Sequence, residues 1–174
     1  GHPRALLDGE ALTLRRTAAA SALASTYLSR PDSNTLLVVG TGALAPYMAL
    51  AHCAVREIER VLVWGRRAAR AEALAARLRA EGLPAVPASA LDEALERADI
   101  VTCATTAHEP ILRGARVRPG THVDLVGGFT PGMREADSEL VARAEVYVDT
   151  FAGALAEAGD LVQPMADGAF ARGD

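Results

Sequence analysis

The run LLVVGTGALAPYMALAHC, Leu36 to Cys53, constrains this chain more than any other part of it. Thr35 to Gly40, TLLVVG, is a continuous apolar run of the kind that forms a strand covered on both faces. It leads into Gly40-x-Gly42-x-x-Ala45, and residues 43–55 then carry a helical pattern. Each position in that turn has a physical task. Gly40 permits a tight exit from the strand, Gly42 lets a phosphate approach the backbone, and Ala45 is small enough for close helix–strand packing. Pro46 falls in the first helical turn, where a missing N–H breaks no internal bond. A helix start placed there offers free N–H groups and the positive end of its dipole to a diphosphate. The glycines alone are weak evidence, because turn glycines also serve only to shape a backbone. Set between the first strand and helix of a strand–helix–strand unit, they point to dinucleotide binding.

The remaining chain repeats the alternation. RVLVW at 60–64 reads as a second buried strand, followed by a helix at 67–81 that ends at Gly82. Ala85-Val86 is a short strand, 89–97 a short helix, and Ile100–Cys103 another strand. THVDLVG (121–127) and EVYVDT (145–150) read as two more strands with a helix at 137–143 between them, and 151–158 looks helical. Ahead of all this, residues 10–29 are alanine-rich, with Leu12, Ala19, Leu23 and Tyr27 at helical spacing, and Arg30-Pro31 ends that helix. The expectation is an α/β fold: a doubly wound, mainly parallel Rossmann sheet of about six strands with an extra N-terminal helix.

A chain of 174 residues supports one domain with a sizeable core. Its net charge of −4 gives no general attraction to nucleic acid or anionic membrane, and no apolar run approaches a membrane span. Cys53 and Cys103 lie far apart and no Cys/His spacing suggests a metal site, so reduced thiols in a cytoplasmic protein are the expectation. The chain contains no lysine, all eighteen basic residues being arginine, which excludes Schiff-base chemistry from its own side chains. The second strand ends Val63-Trp64-Gly65-Arg66-Arg67, without the carboxylate that usually accepts the ribose hydroxyls of NAD. Guanidinium groups there suit a 2′-phosphate, so Arg66, with Arg67 or Arg70, is a candidate clamp for NADP(H), ranked ahead of NAD(H). Arg67 and Arg70 read equally well as a solvated helix face, and Trp64 as an adenine neighbour or a core residue.

With these motifs laid out, the chain resembles the ornithine cyclodeaminase/mu-crystallin family over most of its length. The matching segments are RRTAAASALAS, VVGTGALAP, VLVWGRR, ADIVTCATTAHEPIL, PGTHVDLVGGFTPGMREAD and VYVDT. The resemblance implies that Arg16 lies near the substrate carboxylate, for which a helix-surface arginine is the plain alternative. It implies that Gly40, Gly42, Ala43 and Leu44 form the pyrophosphate turn and that Thr105 contacts the cofactor. Val126, Gly127 and Gly128 would then lie beside the nicotinamide. The family has a separate substrate-binding and dimerisation domain with an essential lysine, so residues 1–31 would link to that missing domain and 32–174 would form the NAD(P)-binding domain. The implied partners are a small imino- or amino-acid substrate and a second copy, joined through segments mostly absent here. Cyclodeaminases carry a catalytic aspartate directly after the paired glycines, and here that position is Phe129. The VDLVGGFTP form resembles the pyrroline-2-carboxylate reductase-type members, which implies reduction of a small cyclic imino acid. Ornithine cyclodeaminase, alanine dehydrogenase and non-catalytic mu-crystallin-like NADPH binding are the alternatives the family offers. His52 and Cys53 read as packing residues, His122 as structural, and His108, beside Glu109, as a weak acid candidate in the loop after the fourth strand.

Overall fold

Leu36, Leu37, Val38 and Val39 are all essentially inaccessible to solvent, as a strand covered on both faces requires. In the computed structural model, which describes residues 2–171, this strand is the centre of a five-stranded, wholly parallel sheet. The strands are β1 (Thr35–Val39), β2 (Arg60–Trp64), β3 (Ala85–Pro87), β4 (Ile100–Cys103) and β5 (His122–Leu125), in the order β3-β2-β1-β4-β5. The order reverses between β1 and β4, so a crevice opens at the carboxyl end of β1.

Alternate side chains of the central strands feed two cores. Leu36, Val38, Val61, Val63 and Ile100 pack with α2 (Ala45–Val55) and α3 (Ala68–Ala80) on one face. Leu37, Val39, Leu62, Val101 and Cys103 pack on the other face with α4 (Leu91–Leu95), α5 (Ser138–Arg143), α6 (Phe151–Glu157) and α7 (Gly159–Ala166). Local chemistry sets the helix ends. Gly82 adopts φ 84° and closes α3 through Gly82 N–H to Arg79 O (3.0 Å) and Leu83 N–H to Leu78 O (3.0 Å). The carboxylate of Asp137 caps α5 and the hydroxyl of Thr150 caps α6.

The structure differs from the sequence reading in three places. Residues 145–150 do not form a sixth strand: Val146 and Val148 dock on the core while Tyr147 and Asp149 face outward, but no ladder forms. Alternation is a side-chain property, and a strand also needs a partner's backbone. A helix α1 spans Gly9–Leu28, yet it turns Ala18, Ser21, Ala22 and Ser25 inward and leaves Leu12, Leu23 and Tyr27 exposed. Small residues prevail there because α1 lies closely against α2, where Arg15 also sits 5.6 Å from the Tyr47 ring centre. Helix α7 carries Pro164 within it and had no counterpart in the sequence reading.

Candidate functional site

The turn from β1 into α2 is open toward the crevice. Gly40 takes φ 114°, and a Cβ there would lie 2.6 Å from Ala104 O and 3.3 Å from Thr105 Cγ2. Gly42 has nothing within 4 Å of where its Cβ would be, and Gly42 and Ala43 are exposed. Ala45 is fully buried against the strand, as close helix–strand packing demands. Leu44 caps α2 without a side-chain bond, and Pro46 occupies the first turn. Among the described residues no acceptor meets the N–H groups of Gly42, Ala43 or Leu44. Three free amides at the positive end of an 11-residue helix make an anion cradle.

At the end of β2, the Cβ that Gly65 lacks would come within 2.7 Å of the Thr41 methyl, so Gly65 lets the two loops close on each other. Arg66 and Arg67 beyond it are exposed, Arg67 being the cap residue of α3 and Arg70 an exposed residue of its first turn. Trp64 is half-buried and packs on the core. Arg16 is exposed on α1 and forms no hydrogen bond or ion pair among the described residues. Phe129 is 64 % exposed.

The ends of β4 and β5 are joined by a group the sequence reading passed over. Glu135 is fully buried, and its Oε1 accepts from the Thr105 amide and from Thr105 Oγ1, both at 2.7 Å. Its Oε2 accepts from the Gly127 amide at 2.7 Å. Burial raises the Glu135 pKa, against the lowering effect of the Thr105 hydroxyl, the Cys103 thiol and the two amides. Behind it, Asp160 Oδ1 accepts from the amides of Glu135 and Ala136, each at 2.8 Å. Burial raises the Asp160 pKa as well, against the two amides and the Arg134 charge. A Cβ on Gly127 would run into Thr105 O and the Glu135 carboxylate, and one on Gly128 into the Asp160 carboxylate. Both paired glycines therefore have a packing reason. In sequence, a buried acid in READ or AGD looks like any surface acid; only the adjacent glycine pair hinted at close packing.

The remaining candidates take quieter places. His52 is buried, with Nδ1 3.2 Å from Ser25 Oγ, which ties α2 to α1, and its Nε2 lies 3.9 Å from Asp124 Oδ2 without a hydrogen bond. Asp124 also accepts from Thr102 Oγ1 at 2.8 Å. Burial lowers the His122 pKa, with Asp124 opposing that effect. Burial pushes the Cys53 thiol up to about 11, and burial together with the Glu135 charge raises the Cys103 thiol well above its ordinary value. His108 is exposed, its Nδ1 2.8 Å from Gly132 O, while Glu109 is exposed beside it. No described helix is long and apolar enough to cross a membrane. The structure thus brings together Gly40, Thr105 and Gly127 at one edge, with Gly65 beside Thr41, and leaves Arg16, Arg66 and Phe129 as separate exposed side chains.

Comparison with known proteins places this geometry. The ornithine cyclodeaminase/mu-crystallin family model matches residues 1–172. The Delta(1)-pyrroline-2-carboxylate reductase of Paracoccus denitrificans is 45% identical over 175 residues, covering 97% of this chain and 54% of the relative. The Thermococcus litoralis Delta(1)-pyrroline-2-carboxylate reductase, solved with NADH and L-proline, superposes with TM-score 0.93 at 38% identity, covering 98% of this chain and 53% of that one. The iminosuccinate reductase of Paracoccus denitrificans, solved with NAD+, gives TM-score 0.84 at 31% identity, covering 94% and 50%. The chain spans about half the length of the relatives it matches. By the match of the family model across nearly its whole length, the chain belongs to the ornithine cyclodeaminase/mu-crystallin family.

Proposed function

We propose that this chain is the NAD(P)H-binding part of a reductase acting on a small cyclic imino acid, of the pyrroline- or piperideine-2-carboxylate type. The observation that carries the reading is the Gly40–Ala45 turn at the carboxyl end of β1, where the Gly42, Ala43 and Leu44 amides meet no acceptor among the described residues and Gly42 has open space around it. These residues fit a dinucleotide: the amides would hold the diphosphate, and the bare Gly42 backbone leaves room for its approach. The bound nicotinamide would supply a hydride to the C=N carbon. The chain's own contribution would be to orient that ring at the ends of β4 and β5, with Val126, Gly127 and the exposed Phe129 beside it. Phe129 moves no proton, which favours reduction over loss of ammonia. Arg16 would hold the substrate carboxylate, together with groups outside this chain. Residues 1–31 would lead to a substrate and dimerisation domain, 32–174 would form the nucleotide domain, and the working protein would be a cytoplasmic homodimer. The pyrroline-2-carboxylate reductases among its relatives support a small cyclic imino acid as substrate, and the iminosuccinate reductase, whose substrate is an open-chain imine, supports an imino acid more broadly.

Arg66, with no acid in Trp64–Arg67, supports NADPH as the preferred cofactor. The solved relatives carry NADH and NAD+, which makes relative affinity the deciding measurement. NADPH is expected to bind more tightly than NADH. Arg66→Ala is expected to weaken NADPH alone, by about 1–3 kcal/mol. Equal affinities in the unmodified protein would sink the preference. Steady-state assays of the full-length protein on a panel of cyclic ketimines test the activity, and no reduction of any of them would overturn it.

A further inference from the structure

We propose that Glu135 is the positioning residue that sets the nicotinamide end of the site, a role that rests on the dinucleotide reading above. In a sheet ordered β3-β2-β1-β4-β5, a dinucleotide with its diphosphate on the β1 turn and its adenosine toward β2 must extend its nicotinamide toward β4 and β5. The backbone pairing of β4 with β5 ends at Val126 N–H to Cys103 O, 2.9 Å. Beyond it, the amides of Thr105 and Gly127 both point at one carboxylate. Two donors cannot pair with each other, so an acceptor must stand between them. Glu135 is that acceptor, one oxygen to each loop, and it also fixes the Thr105 hydroxyl.

The Thr105 methyl is thereby held against the Gly40 turn, where a Cβ would have only 3.3 Å of clearance. One buried carboxylate thus sets three segments relative to one another: the β1 turn and the exits of β4 and β5. Asp160 holds the Glu135 and Ala136 amides, which anchors the strut from behind. The Thr105 and Gly127 amides facing the Glu135 carboxylate can only donate, and the Thr105 hydroxyl donates to it as well, so a pair of acceptor oxygens suits the place and an amide side chain does not. Glu135→Gln keeps the shape but turns an NH2 group toward either Gly127 or Thr105.

The test compares NADH with ADP-ribose, which carries the adenosine and diphosphate but no nicotinamide, in the full-length protein. Glu135→Gln is expected to weaken NADH binding by about 10-fold, the scale of one charge-assisted hydrogen bond acting through its partners, and to leave ADP-ribose within about twofold. Parallel weakening of both ligands would mean that Glu135 only stabilises the fold, and no change in either would mean that it does not position the site; both overturn the proposal. If Glu135→Gln does not fold, Glu135→Asp carries the test, because it keeps the charge but is one methylene too short to reach both the Thr105 and Gly127 amides. A shift confined to NADH supports the proposal, and a shared or absent shift overturns it. Wild-type protein that binds neither ligand, nor NADPH, defeats the dinucleotide reading itself. Wild-type binding with an indifferent Glu135→Gln removes only the role of Glu135.

Discussion

Gly40 and Gly42 are two residues apart and serve opposite purposes. Gly40 stands at φ 114° with a carbonyl 2.6 Å from where a Cβ would sit, so its lack of a side chain is a requirement of the fold. Gly40→Ala is expected to destabilise the protein by about 1–3 kcal/mol from backbone strain, before the collision with Ala104 is added. Gly42 has open space instead. Gly42→Ala is expected to leave stability within about 0.5 kcal/mol. It should weaken nucleotide binding by about tenfold or more, at least ~1.4 kcal/mol. Urea denaturation and NADH titration of both variants check the pair; a destabilised Gly42→Ala that still binds NADH normally would refute the assignment. The spacing of these glycines was legible because each task belongs to a local turn. Glu135 and Asp160 were not, because a carboxylate's burial and partners come from segments 8 to 30 residues away.

At the scale of elements, the buried strands and the helices between them follow the sequence pattern, and their long-range ties do not. Asp99, just before β4, accepts from the amides of Asn34 and Thr35 at 3.2 and 3.1 Å and pairs with Arg30 at 2.7 Å and Arg118 at 3.1 Å. It therefore fastens β4 to the entry of β1. Burial acts to raise the Asp99 pKa, but the two amides and the Arg30 guanidinium outweigh it and hold the carboxyl below its usual value. A depressed folded pKa gives stability that is complete above the unfolded value, about 3.9, and is lost as pH falls through the folded one. Asp99→Asn is expected to cost about 1–3 kcal/mol at neutral pH. Its deficit should shrink as acid protonates the wild-type carboxyl. Denaturation midpoints of both proteins at neutral pH and near pH 3 check this, and a deficit that does not change with pH would refute it. The extended 145–150 segment shows the converse limit: its alternation was legible, and its want of a hydrogen-bonding neighbour was not.

At the scale of the molecule, the chain covers about half of its relatives and exposes Arg16, Arg66 and Phe129. The isolated 174 residues are expected to bind nucleotide yet reduce no ketimine at a useful rate. Orientation of substrate against the nicotinamide is worth about 7–11 kcal/mol, and on the proposed reading a separate substrate domain would supply it. Robust turnover by the chain alone would show that the active site has been misplaced. The full-length protein is expected to release no measurable ammonia from ornithine, since Phe129 offers no acid–base group, a contribution worth about 10²–10⁴-fold. Brisk ammonia release with Phe129 in place would refute the reductase reading. The sequence alone determined the parallel α/β class, the central strand and the glycine turn into α2, because continuous apolar runs, turn glycines and helix starts act over a few residues. Only the tertiary structure decided that the sheet has five strands, that α1 buries its small residues, and that Glu135 and Asp160 fix the ends of β4 and β5. Those outcomes depend on which backbone donors and surfaces meet across the fold, and segments distant in sequence carry no local sign of that.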